Sequence, residues 1–382
     1  MIRLLSLIML LALGACASNK KELKNEEELL VQCEVKNIYG VIGCGKVPVS
    51  AIEDLSYKYK EKCPQPLNNK YSLKDISCLE ENRNSPIEAY RLGNLKVFGE
   101  SIEKDIKGGM ELIEYSSKNK YPEAMTWLAK VYESQGEYSK GFSLIKEAAD
   151  LGNPLAMYSL GFHYNRGIGV EENKDLALFW LNKSKKYIPA AYSEMAIIHF
   201  DKGDVASFIT LNEEAISRKY WFSYVDLAIL ALGEASGYES YKDLNKANVY
   251  AEELIKNNVP VGYFIKAKIL ESQSNNSQIC EYYKKAFING YFPAGISLAH
   301  EYLNGINCDK NYNEALKILK NLYESGSDEE KIQAAHSLGY AYMNGLGVER
   351  NNDEAKRYLL ISAKAGHEPS QELLNKIEVA FD

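Results

Sequence analysis

Residues 154–180 read PLAMYSLGFHYNRGIGVEENKDLALFW, and the spacing inside this stretch decides the fold. Ala156, Leu160 and Tyr164 stand four apart, which places them on one stripe of an α-helix. Gly167 and Gly169 come where that helix must stop, because a chain leaving a helix often takes a positive φ that glycine adopts without a Cβ clash. A second apolar segment with Ala177 and Trp180 follows. The stretch predicts helix A, a glycine turn and helix B.

The pattern recurs. Ala124/Leu128/Tyr132, Ala294/Leu298/Tyr302 and Ala334/Leu338/Tyr342 repeat the triad, and Glu88, Ala191, Ser223, Val261 and Ser370 continue the small-residue slot with substitutions. Neighbouring slots lie 32 to 40 residues apart. A period in that range means stacked supersecondary units rather than one globular core.

These residues resemble the Sel-one-like repeat family, a branch of the tetratricopeptide-like proteins, whose pattern runs Ala, Leu-Gly, Tyr, Gly-x-Gly-Val and then a second Ala before an aromatic. The 154–180 unit fits it, and so does Ala334 to Tyr358 with Leu338-Gly339, Gly345-Leu-Gly347-Val348 and Ala355. Ala191 to Glu214 lacks the glycine turn, and Val261 to Gly290 keeps little beyond hydrophobic spacing. The resemblance implies an all-α fold, a right-handed α-α superhelix over residues 86–382, with A helices lining its concave face. A last helix near Pro369 to Val379 is expected to cap the far end.

The first residues read differently. Arg3 precedes an apolar run from Leu4 to Leu13, followed by Gly14, Ala15 and Cys16, the order of a signal peptide with its small-residue cleavage zone. Leu13-Gly14-Ala15-Cys16 resembles the lipobox of bacterial lipoproteins, which implies cleavage after residue 15 and lipid attachment at Cys16. Ala17 and Ser18, with no Asp just after the Cys, imply sorting to the outer membrane, facing the periplasm. Residues 16–30 are polar and charged and read as a tether. The expectation is a bacterial envelope protein that meets the membrane only through its N-terminal lipid.

Residues 31–85 hold Cys33, Cys44, Cys63 and Cys78 among Gly and Pro. An even number of cysteines in an exported chain suggests disulfides, and sequence leaves all three pairings of these four open. We read a small disulfide-stapled cap over the first repeat. Farther on, Cys308 occupies the slot of Val170 and Val348, and Cys280 falls near the start of the preceding helix B. Adjacent repeats bring such positions together, so a Cys280–Cys308 staple is expected.

Signatures of catalysis fail at their essential positions. Gly40-Val-Ile-Gly-Cys-Gly45-Lys46 fits G-x-x-x-x-G-K, but Val47 stands where Ser or Thr must bind Mg²⁺. His300-Glu301 and His367-Glu368 lack the second histidine of a zinc pair, having Asn304 and Gln371 instead. His163, His199, His300, His336 and His367 are spread over different repeats and read as hydrogen-bonded scaffold. No nucleophile elbow occurs. The expectation is no enzyme, no metal and no cofactor. A net charge of −7 argues against nucleic acid.

Binding remains. If the Leu and Tyr of each unit face the repeat core, positions two and six after each slot turn to the groove. Those positions hold the candidates Lys130, Tyr158, Phe162, Ile197, Tyr263, His300, His336 and Tyr340, neighbouring concave positions add Trp127, Phe200 and Phe222, and Arg166, Glu194 and Asp226 stand near the edge. Aromatic and aliphatic groups with charges at the edge have the composition of a protein interface, although the same side chains could pack between neighbouring A helices. The family resemblance implies a protein partner: a type VI secretion effector such as a lipase, neutralised by an immunity protein, or, in the alternative, an exopolysaccharide-secretion or envelope assembly for which the chain is an outer-membrane scaffold.

Overall fold

The computed structural model describes residues 61–64, 71–234, 237–274 and 278–379, with the backbone of a few short strands between 30 and 48. The proposed leader, Cys16, the tether, Cys33 and Cys44 lie outside the described residues or side chains. β1 (Leu30–Val31) pairs antiparallel with β4 (Val47–Pro48), and β2 (Glu34–Asn37) pairs with β3 (Gly40–Gly43). Val47–Pro48 is thus a strand where a phosphate-binding loop would need the first turn of a helix.

Helices make up nearly all the rest. α1 (Leu73–Glu81) precedes the repeats. The A helices are α2 (Pro86–Phe98), α4 (Pro122–Ser134), α6 (Pro154–Arg166), α8 (Ala190–Asp201), α10 (Ser223–Leu232), α12 (Val261–Ser272), α14 (Pro293–Asn304), α16 (Asp328–Asn344) and α18 (Glu368–Val379). Between them run the B helices α3 (Ile106–Lys118), α5 (Tyr138–Asp150), α7 (Lys174–Ser184), α9 (Val205–Ser217), α11 (Leu244–Lys256), α13 (Ile279–Ile288), α15 (Tyr312–Ser325) and α17 (Asn352–Lys364). They fall into two compact units, one ending at Ser223 and the other starting at Tyr224. Each unit is a stack of helical hairpins.

Local chemistry sets these boundaries. Pro86, Pro122, Pro154 and Pro293 open A helices at the position where a missing N–H costs nothing. Asp105, Asn173, Asp204, Asp243, Asn311 and Asn351 cap B helices, each side chain accepting a hydrogen bond from a first-turn N–H. Gly167 and Gly345 close their A helices in the left-handed region, at φ +66° and +69°.

All nine slot residues are buried, including Glu88 and Ser370, and so is the residue four places after each. Small side chains are needed there because helix B crosses close by. At Gly161 a Cβ would stand 2.7 Å from Leu181 Cγ and 3.0 Å from the Ala177 carbonyl; at Gly339 it would stand 2.6 Å from Leu359 Cγ. The Leu-Gly pair is therefore a packing device: the leucine fills the core and the glycine admits the partner helix.

Glu88 departs from the small-residue rule for a visible reason. Its Oε1 accepts hydrogen bonds from the backbone N–H of Lys62 at 2.6 Å and of Cys63 at 3.2 Å. Burial pushes this carboxyl up, but hydrogen bonds from Ser85, Lys62 and Cys63 outweigh it and hold it below the usual range. Cys63 is disulfide-bonded to Cys78 of α1, and both join Ile76, Leu79, Leu92 and Leu95 in one apolar cluster. Arg91 donates to the Cys63 and Pro64 carbonyls. The segment around Cys63 is bonded covalently to α1, and the two together are tied to the first A helix by apolar and polar contacts.

Candidate functional site

The A-helix face is where the sequence placed a binding surface, and in the N-terminal unit its residues are largely consumed by packing. Arg166 Nη1 lies 2.6 Å from Glu194 Oε2 and Nη2 lies 3.3 Å from Oε1, a two-pronged pair linking α6 to α8. The Arg166 guanidinium also stands 3.9 Å from the Phe162 ring centroid. Asn165 donates to the same Glu194 oxygen, and Lys174 reaches both Asn165 Oδ1 and Asp201. Glu194 and Phe162 are buried.

Several groove assignments are corrected by this packing. Ile197, Phe162 and Glu194 are buried within the chain, so they offer no surface to a partner. Tyr158 packs on the cluster of Ala177, Leu181 and Ala191, between helix B of its own repeat and the next helix A. Phe200 stacks at 4.8 Å on Phe208 of α9, its own repeat's B helix. Phe222 packs against Tyr220, at 5.9 Å, and the Tyr192 and Ala215 cluster. Tyr263 stacks on Tyr282 of α13 at 6.5 Å. Trp127, Lys130 and Asp226 are half-buried on their helices. The physical reason is that the repeat's own B helix and the neighbouring A helices close over this face, leaving it less open than on a lone helix.

The last repeats of the C-terminal unit differ. His300 and Tyr340 remain exposed and His336 is half-buried. His300 Nε2 lies 2.8 Å from Ser337 Oγ, joining α14 to α16; His336 Nδ1 lies 2.9 Å from Ser370 Oγ, joining α16 to α18. His367 Nδ1 meets the same Ser370 Oγ at 2.9 Å, and the His336 and His367 rings are 4.6 Å apart. Histidines scattered in sequence thus gather into a cluster bridged by two buried serines. Burial, with the neighbouring His367 and His300, lowers His336 to about 4. The His300 side chain is accessible, but its ring end lies against Ser337, and this partial desolvation lowers it as well, against a weaker opposite pull from Glu301.

One further arrangement escaped sequence reasoning, and one expected from the sequence is present. His163 Nε2 lies 2.8 Å from Glu133 Oε1 on the preceding A helix, while its Nδ1 meets the Ser159 carbonyl at 2.6 Å. Partners about thirty residues apart carry no local signal. Cys280 of α13 is disulfide-bonded to Cys308 in the turn after α14, with the Cα atoms 6.1 Å apart. A Glu301 carboxylate oxygen lies within 4.8 Å of both sulfurs. Sulfurs bonded to each other are not thiolates, so this trio has one ligand group to offer a metal.

Helical hairpins stacked by buried small-residue slots define an α-solenoid repeat protein, a fold of the protein-binding type. The Sel1 repeat model matches residues 89–121, 122–153, 154–186, 296–327 and 332–367, so the chain carries five Sel1 repeats. Among solved structures it resembles a Sel1 repeat protein from Oxalobacter formigenes, at 19% identity over 80% of this chain and 92% of that one, with a TM-score of 0.50. It also resembles the yeast Tom70, at 14% identity over 86% of this chain and 69% of that one, TM-score 0.53. These likenesses concern the fold. No curated protein matches the chain in sequence.

Proposed function

We propose that this chain is a non-catalytic, lipid-anchored protein of the bacterial envelope, facing the periplasm, that binds one protein partner through the A-helix face of its C-terminal unit. The observation that supports this face is the accessibility of His300 and Tyr340 at the repeat positions that neighbouring helices bury elsewhere. A tyrosine beside imidazoles held by Ser337 and Ser370 offers contact area and hydrogen bonds from a preorganised surface. The repeat fold is of the protein-binding type, and within it an immunity role is our specific reading: the partner is a toxic effector delivered to the periplasm, such as a lipase, and the anchor holds its inhibitor at the membrane it attacks.

Capture from an envelope extract tests this. The wild-type chain is expected to retain one specific protein, and a His300→Asp/Tyr340→Asp variant with an unchanged circular-dichroism spectrum is expected to lose it. Undiminished capture by that variant would exclude the face.

A further inference from the structure

The outer face of α7 carries a combination that the A-helix reading does not use. Leu176, Phe179, Trp180 and Lys183 are spaced three, four and seven along the helix and share one stripe. Leu176 is 39% exposed and Phe179 50%. Lys183 Nζ stands 4.4 Å from the Phe179 centroid and 4.8 Å from that of Trp180, and the two rings meet edge to face at 5.2 Å. Just beyond, Lys185 lies over Tyr192 at 5.5 Å and Lys186 over Tyr187 at 5.2 Å. Among the described residues none of these three lysines pairs with a carboxylate, although the chain carries 52 acids against 45 bases.

A cation at a helix C-terminus complements the macrodipole, and that accounts for one such lysine. It does not account for three, nor for an exposed phenylalanine and leucine beside them. Protein interfaces are depleted in lysine, whereas juxtamembrane recognition of acidic lipid uses lysine clusters, with aromatic rings settling at the headgroup level and long lysine stems lying along apolar surface. We propose that the exposed Leu176, Phe179 and Lys183 of α7, with Lys185 and Lys186 just after its end, form a docking surface for an anionic phospholipid membrane, with Leu176 and Phe179 entering the headgroup layer, the half-buried Trp180 at its edge and the three lysines meeting lipid phosphates. This inference is independent of the partner-binding face.

The test uses the full chain with vesicles of phosphatidylcholine containing about one third phosphatidylglycerol, the lipids carrying brominated acyl chains as tryptophan quenchers. The expected result is quenching that disappears in Trp180→Phe. It should also weaken as salt is raised, because exposed charges are screened beyond a Debye length. With each lysine contributing about 1 kcal/mol near an acidic surface, Lys183→Gln/Lys185→Gln/Lys186→Gln should lower the affinity of this contact on the order of a hundredfold. Phe179→Ser, an exposed change that leaves the fold intact, should remove the quenching while keeping the charges. Quenching that is equal on pure phosphatidylcholine, or unchanged in the triple variant, overturns the proposal. So does a Trp180 response to poly-L-glutamate without one to vesicles, which would assign the face to an acidic polypeptide.

Discussion

Arg166 of α6 grips Glu194 of α8 with both prongs of its guanidinium, and the two ends of the pair are unequally shielded: the arginine side chain is 12% exposed and the glutamate 2%. The asymmetry predicts asymmetric mutants. Arg166→Met leaves a buried carboxylate with only the Asn165 amide and should cost about 3–5 kcal/mol, the range for breaking a buried pair. Glu194→Gln leaves an arginine that can turn towards water and still donate to the amide oxygen, so about 1–2 kcal/mol is expected. Urea unfolding of both single variants and the double variant gives the coupling directly. Equal costs would mean that Arg166 is as well shielded as its partner.

Gly161 and Gly339 do the same work in two repeats. A methyl group at Gly161 meets Leu181 Cγ and a backbone carbonyl, and the carbonyl cannot turn away as a flexible side-chain tip could. Gly161→Ala and Gly339→Ala should each destabilise by about 1–3 kcal/mol through overpacking. Gly203 is the contrast, since it has φ +79° and nothing within 4 Å of its notional Cβ. Asparagine visits that backbone region readily, so Gly203→Asn should change thermal stability little. If Gly161→Ala melts like Gly203→Asn, the close crossing of α6 and α7 is looser than drawn.

These positions also show how far a sequence of this type can be read. The Ala156, Leu160 and Tyr164 spacing and the Gly167 turn specify a helical hairpin because both are local: one depends on helix period, the other on which residue tolerates positive φ. Even the slots without glycine turns, at Ala191 and Val261, fall inside A helices, since hydrophobic period survives when turn chemistry is lost. The binding face is a different kind of property. Whether Phe162 or Tyr340 reaches solvent depends on what the next A helix offers about thirty residues on, and Glu194 supplies in one repeat an arginine clamp that another lacks. The histidines illustrate the same limit, because His336 and His367 are held together by Ser370, a slot residue whose hydroxyl looks incidental in the sequence.

The Cys280–Cys308 bond closes a loop of 28 residues in the part of the chain where the repeat pattern is weakest. In the chain-entropy model a closure of that size restricts the unfolded ensemble by about 3–4 kcal/mol. Cys280→Ser/Cys308→Ser should lower the unfolding free energy by roughly that amount and the melting temperature with it, and reductant should lower the melting temperature of the wild type but not that of the variant. The Cys63–Cys78 bond, with a separation of 15, sits against the first repeat, so its removal by Cys63→Ser/Cys78→Ser should loosen α1 and α2 first. Hydrogen exchange would localise the two effects; protection lost equally along the whole chain in either variant would show that the repeats unfold as one block.

His336 makes stability depend on pH in a definite direction. In the unfolded chain its imidazole takes up a proton near the ordinary value of about 6.5, whereas burial, His367 and His300 hold it at about 4 in the folded state. Between those values the unfolded state binds more protons, so acidification favours unfolding. The stability attributable to this group is complete above the upper value and declines as the pH drops through the window, with a slope approaching about 1.4 kcal/mol per pH unit for one proton. Glu301 acts on the neighbouring His300, whose lowered value it raises weakly. His336→Asn keeps a side chain able to hydrogen-bond Ser370 but removes the titration, so urea midpoints measured from about pH 4 to 7 should form a flatter profile than the wild type. A wild-type profile already flat across that range would mean that the imidazole accepts its proton in place, and that the cluster of His300, His336 and His367 is open enough to water to share the charge.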